Sequence, residues 1–164
     1  MSLSALPRAA RVVLVLCSVL SPVLANAQVS RHVEVRLDAA AMQPRAAGRL
    51  LVFAMPAGMA EAAAKGGKVE EVDASAMAPE AVAIAAMEVP SLAAGASVVL
   101  DADAIAFPQP FSRLPKGDYY LQAVLDANHD YNYGGRGEGD LVSEPTRVRL
   151  GKSHRIPLLA LTRV

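Results

Sequence analysis

Gly117-Asp118-Tyr119-Tyr120-Leu121-Gln122-Ala123-Val124-Leu125, running straight into Asp126-Ala127-Asn128-His129-Asp130-Tyr131-Asn132, decides how this chain reads. The first nine residues have the aromatic and β-branched content of a buried strand. The next seven form an acidic, amide-rich loop, and chemistry has nowhere else in the sequence to concentrate. Upstream, Leu114-Pro115-Lys116 supplies the turn that launches the strand. A Pro-x-Gly turn followed by an aromatic lets the Tyr119 ring seal one end of a β-fold while its hydroxyl returns to the backbone.

Working outward, the periodicity is mostly two. Val33, Val35 and Leu37 alternate with His32, Glu34 and Arg36, as on a strand with one buried face. Gly48 to Met55 holds the run Leu50-Leu51-Val52-Phe53, which reads as a central strand. Strand character returns at Val82 to Val89, Ser97 to Leu100, Thr146 to Leu150 and Ile156 to Leu161, and Pro157 predicts an edge or bulged position for the last of these. Between Pro56 and Pro79 the composition shifts to Ala, Gly, Lys and Glu. Met59 to Lys65 offers two helical turns there, stopped by Gly66-Gly67. Phe107-Pro108-Gln109-Pro110-Phe111 reads as a rigid extended loop pinned to the core by its two phenylalanines. The pattern predicts an all-β fold: a single antiparallel β-sandwich of about seven strands, immunoglobulin-like or transthyretin-like, with one short helix in a connection.

The first 27 residues carry Arg8 and Arg11, the 13-residue apolar run Val12 to Leu24, and Ala25-Asn26-Ala27. These are the three parts of a secretory signal peptide, and the run falls short of the about 20 residues a membrane span needs. Cleavage after Ala27 leaves a β-sandwich domain over 28–164, periplasmic or secreted, with no membrane span. The only cysteine, Cys17, leaves with the signal, so the domain rests on its core alone. Of 16 basic and 16 acidic residues the signal removes two basic ones, leaving 14 against 16. Without a basic patch, a nucleic-acid partner is not expected.

No hydrolase motif emerges. The nearest approach to a nucleophile elbow, Gly95-Ala96-Ser97-Val98-Val99, lacks its second glycine. His32, His129 and His154 are scattered and set no zinc-binding pair. The acidic loop is the sharper candidate. Asp126, Asn128, Asp130 and Asn132 alternate, so their oxygens can converge as the backbone curls, with Glu138 and Asp140 near enough to complete a shell. Hard oxygen ligands suit Ca2+. The loop departs from the helix-loop-helix calcium pattern: Tyr131 stands where that loop needs Gly, and Glu138 falls one place late. The other reading is a solvated hairpin whose Asn, Asp and Gly residues simply satisfy turn geometry. Tyr131 and Tyr133, if exposed side by side, would form a recognition surface.

The string Val98-Val99-Leu100-Asp101-Ala102-Asp103-Ala104, through Phe107-Pro108, to Leu114-Pro115-Lys116-Gly117-Asp118-Tyr119 and onward to Leu125 resembles the immunoglobulin-like domain that precedes the catalytic domain in a group of secreted bacterial esterases. It is also similar to small exported β-sandwich domains whose strand ends in an Asp-x-Asn-x-Asp style loop. The resemblance covers roughly Gly48 to Leu150. It implies a fold and an accessory role, and no activity. The expectation is a non-enzymatic binding or accessory module meeting a protein or glycan partner. The alternative is an accessory domain working with a separate secreted esterase or hydrolase chain.

Overall fold

The run Leu50-Leu51-Val52-Phe53-Ala54 has no polar residue to mark a wet face, and in the computed structural model both of its faces are buried. The structure describes residues 31–40, 44–132, 135–151 and 156–163. The proposed signal peptide, Tyr133 and His154 lie outside these. Strand β1 (His32–Leu37) is followed by β2 (Arg45–Pro56), helix α1 (Ala57–Ala63), β3 (Ala83–Ala93), β4 (Ser97–Asp101), β5 (Ala106–Phe107), β6 (Gly117–Asp126), β7 (Leu141–Val142), β8 (Thr146–Leu150) and β9 (Leu159–Arg163). The class is all-β.

Hydrogen bonding joins the strands into one open sheet of order β4-β1-β9-β7-β6-β2-β3-β5, with β8 also paired to β6. The expected count of about seven strands is thus exceeded. The expected antiparallel pairing fails once, because β1 and β9 run parallel, Val35 opposite Leu159. Pro157 does not put the last strand at an edge either. The strand begins two residues beyond it, at Leu159, and lies between β1 and β7.

Alternation places Val33, Val35 and Leu37 of β1 on one inner face with Leu100, Leu159 and Leu161. Leu50, Val52 and Ala54 of β2, Ala83 and Ala85 of β3, and Leu121, Ala123 and Leu125 of β6 join the same cluster. Residues from both ends of the strand order share this core, so the open sheet curls over its own inner face. Phe111 is buried there, whereas Phe107 is 49% exposed. Only one of the two phenylalanines pins its loop, since the other stands on the two-residue edge strand β5.

The outer face of β2 and β6 forms a second cluster. Leu51, Phe53 and Val124 are covered by Ala60 of α1 and by Val69, Val72 and Ala74 of the irregular segment that follows it. That segment explains why β2 and β6 lack alternation: both faces are dry. It docks with small side chains, so polar contacts share the work of holding it down.

Tyr119 turns its ring into the inner core, and its hydroxyl donates to the carbonyl of Pro115 at 3.0 Å. This is the backbone return that the Pro-x-Gly-x-Tyr sequence predicts. Burial pushes the Tyr119 hydroxyl's pKa upward. At the far end of β6, Gly48 packs against the strand's exit. It has φ of +149°, and a Cβ there would run into the carbonyl oxygen of Asp126 and lie 2.9 Å from the Cα of Ala127. The β2–β3 register shifts between Ala46 and Gly48.

Candidate functional site

Asp126 is both the last residue of β6 and the first of the acidic loop, and it is 0% exposed. A buried carboxylate needs its charge answered. Here the answer comes from β2, which pairs with β6 so that Arg49 stands directly opposite Asp126. The guanidinium donates to Asp126 Oδ2 from Nη2 at 2.5 Å and from Nε at 3.2 Å. The loop then curls back, and the backbone N–H groups of Asp130 and Tyr131 donate to Oδ1 at 3.0 Å and Oδ2 at 3.4 Å. Burial alone would raise the Asp126 pKa. Arg49 and the two N–H groups outweigh it and hold the carboxyl below its ordinary value.

Asp140, 3% exposed, braces the loop from its other end. Its Oδ1 accepts from Ala127 N at 3.0 Å and its Oδ2 from Gly137 N at 2.8 Å. One oxygen each from Asp126, Asp130 and Asp140 lies within 4.8 Å of the others. Of the six residues that the spacing predicts as ligands, these three carboxylates come together. Asn128 instead donates its side-chain amide to the carbonyl of Glu138 at 2.9 Å, and the exposed carboxylate of Glu138 is not in the group. Asn132 is exposed. Of the alternating residues, Asp126 and Asp130 converge, and the chain between them takes a left-handed step at His129, φ +57°.

Of the three carboxylates, that of Asp126 is the one Arg49 pairs with. The position facing Asp130 is a glycine, and a Cβ at Gly137 would collide with the Asp130 carboxylate. Among the described residues, Asp126, Asp130 and Asp140 are the carboxylates that come close enough together to share one ion.

Several residues that build this end carry no local sequence signal. Gln122, 1% exposed, accepts at Oε1 from Val72 N at 2.7 Å and from Arg136 Nη2 at 2.8 Å, and donates from Nε2 to the carbonyl of Ser143 at 2.7 Å. It sits where β6 passes from β8 to β7 as neighbour, and Ser143 fills that break. Ser143 donates its N–H to the Ala123 carbonyl and accepts the Ala123 N–H on its hydroxyl, both at 2.9 Å. Arg136 also pairs with Glu71 at 3.4 Å. Tyr131 is turned inward, its ring edge-on to Phe53 at 5.4 Å and its hydroxyl donating to Asp73. His129 meets Glu88 of β3 at 2.9 Å. Beside the same segment, a cavity of about 340 Å³ lies between α1 and residues 68–73, with Met55, Ala60, Ala63, Ala64 and Val69 among its walls.

Ser97 is the first residue of β4, and His32 the first of β1. Among the described residues no helix is long and apolar enough to cross a membrane. No protein-family model, curated protein or solved structure matches the chain.

Proposed function

We propose that this chain is an exported, non-catalytic β-sandwich module, immunoglobulin-like or transthyretin-like, acting in the periplasm or outside the cell as a binding or accessory domain. Its loop 126–140 is the recognition end and takes one Ca2+ on Asp126, Asp130 and Asp140. The partner is a protein or a glycan meeting the loops around that ion. The observation that supports this reading best is the convergence of the three carboxylate oxygens within 4.8 Å at the exit of a strand buried on both faces. Binding loops on rigid strands are the usual way a β-fold carries recognition.

The experiment is a thermal melt of the metal-stripped protein with Ca2+, with Mg2+ and with chelator. Ca2+ at a hundredfold over its dissociation constant stabilises by about 2.7 kcal/mol, or roughly 10 °C for a domain of this size. Asp130→Asn removes the exposed carboxylate of the three and abolishes the shift. A melt indifferent to Ca2+ at millimolar concentration would refute the ion site and leave a loop ordered by Arg49 and its own hydrogen bonds.

A further inference from the structure

Residues 68–74 have no regular secondary structure, yet three consecutive members are tied down by side chains from the acidic loop or from the strand that feeds it. Glu71 pairs with Arg136 at 3.4 Å. Val72 donates its N–H to Gln122, whose same oxygen accepts from Arg136. Asp73 accepts from the Tyr131 hydroxyl. Beneath them Val69, Val72 and Ala74 cover Leu51, Phe53 and Val124. The segment is bounded on one side by the Gly66-Gly67 turn, φ +68° and +78°, and on the other by the turn that the Ser75–Ala78 bridge closes. It also forms one wall of the 340 Å³ cavity against α1.

We infer that residues 68–74 are a hinged strap latched by the acidic loop, and that its release joins the cavity beside α1 to the apolar outer face of β2 and β6. Three features carry the inference. Turns stand at both ends, where a strap would hinge. The apolar contacts are small side chains, so the latch holds a large share of the closed state. The latch groups, Tyr131 and Arg136, belong to one loop, so a change in that loop acts on the strap directly. None of the three contacts uses the carboxylates of Asp126, Asp130 or Asp140. The device therefore stands or falls apart from the cation site.

The test is amide hydrogen exchange on the full protein, read at Val72 with Leu121 of β6 as the reference for global opening. In the wild-type protein Val72 exchanges faster than Leu121 and with little urea dependence, as local opening requires. Tyr131→Phe and Arg136→Gln each remove latch hydrogen bonds and speed exchange at Val72 by about fivefold to tenfold, leaving Leu121 unchanged. Arg136→Lys restores part of the protection through Glu71. If Val72 exchanges at the rate of Leu121 and with the same urea dependence, the segment opens only when the whole fold does, and the strap is refuted. That wild-type comparison decides the matter even where a variant fails to fold.

Discussion

Replacing Arg49 by Met keeps the side chain's length and removes the charge that answers Asp126. Taking one partner from a buried ion pair costs about 3–5 kcal/mol, because the other charge is left stranded. Two facts lower the figure here. The Arg49 side chain is 32% exposed against 0% for Asp126, and Asp126 keeps the N–H groups of Asp130 and Tyr131. We expect a loss of about 2–3 kcal/mol at neutral pH, seen in urea unfolding as a midpoint lower by about 1 M with an unchanged slope. The pH dependence gives the sharper check. In the native protein the Asp126 pKa is depressed, so its stabilisation is present above the ordinary carboxylate range and is lost as pH falls through the depressed value. Without Arg49, burial is opposed only by two N–H groups and the folded-state pKa rises above the unfolded one. That variant gains stability relative to the native protein as pH falls from 7 toward 4, and the gap between the two narrows. A gap below about 0.5 kcal/mol, the scale of a surface pair, or one that stays constant over this range would refute the account of Asp126 as a buried charge held by Arg49.

Gly48→Ala sets a Cβ against the Asp126 carbonyl on a backbone at φ +149°, and we expect a loss of about 2–4 kcal/mol in the same urea assay. Tyr119→Phe removes the hydrogen bond to Pro115 and costs about 1 kcal/mol at pH 7. Because the Tyr119 pKa is raised in the fold, its contribution is complete below the unfolded value of 10.0 and is lost as pH rises beyond it, so the phenylalanine variant shows a flatter alkaline stability profile.

The strands that were legible in the sequence are those with one wet face. The alternation of β1 and β8 follows directly from a core on one side and water on the other. The Pro115 to Tyr119 turn was legible because one hydroxyl and one nearby carbonyl suffice to make it. What could not be read was partner choice. Nothing local to Leu159–Arg163 says that it lies parallel to β1, because pairing is settled by which faces remain to be covered once the sheet curls. The helix was legible in kind and shifted by two residues, starting at Ala57 directly after Pro56 rather than at Met59.

The loop divides along the same line. Spacing within 126–140 indicated carboxylates brought together, and Asp126, Asp130 and Asp140 are. The guanidinium that answers Asp126 comes from 77 residues upstream, through the register that sets Arg49 opposite Asp126 on one side and Glu88 on the other. Glu88 in turn meets His129, so the loop tip is tied back to the third strand of the same row. Asp126 thus belongs to the sheet and the loop at once: its backbone pairs with Arg49 and its carboxylate caps the N–H groups of the curl. Any ligand that engages that carboxylate acts on the strand register as well as on the loop. For that reason an ion bound at this end should raise the melting temperature of the whole domain instead of merely quieting a surface segment, and the global melt is a fair test of a local site.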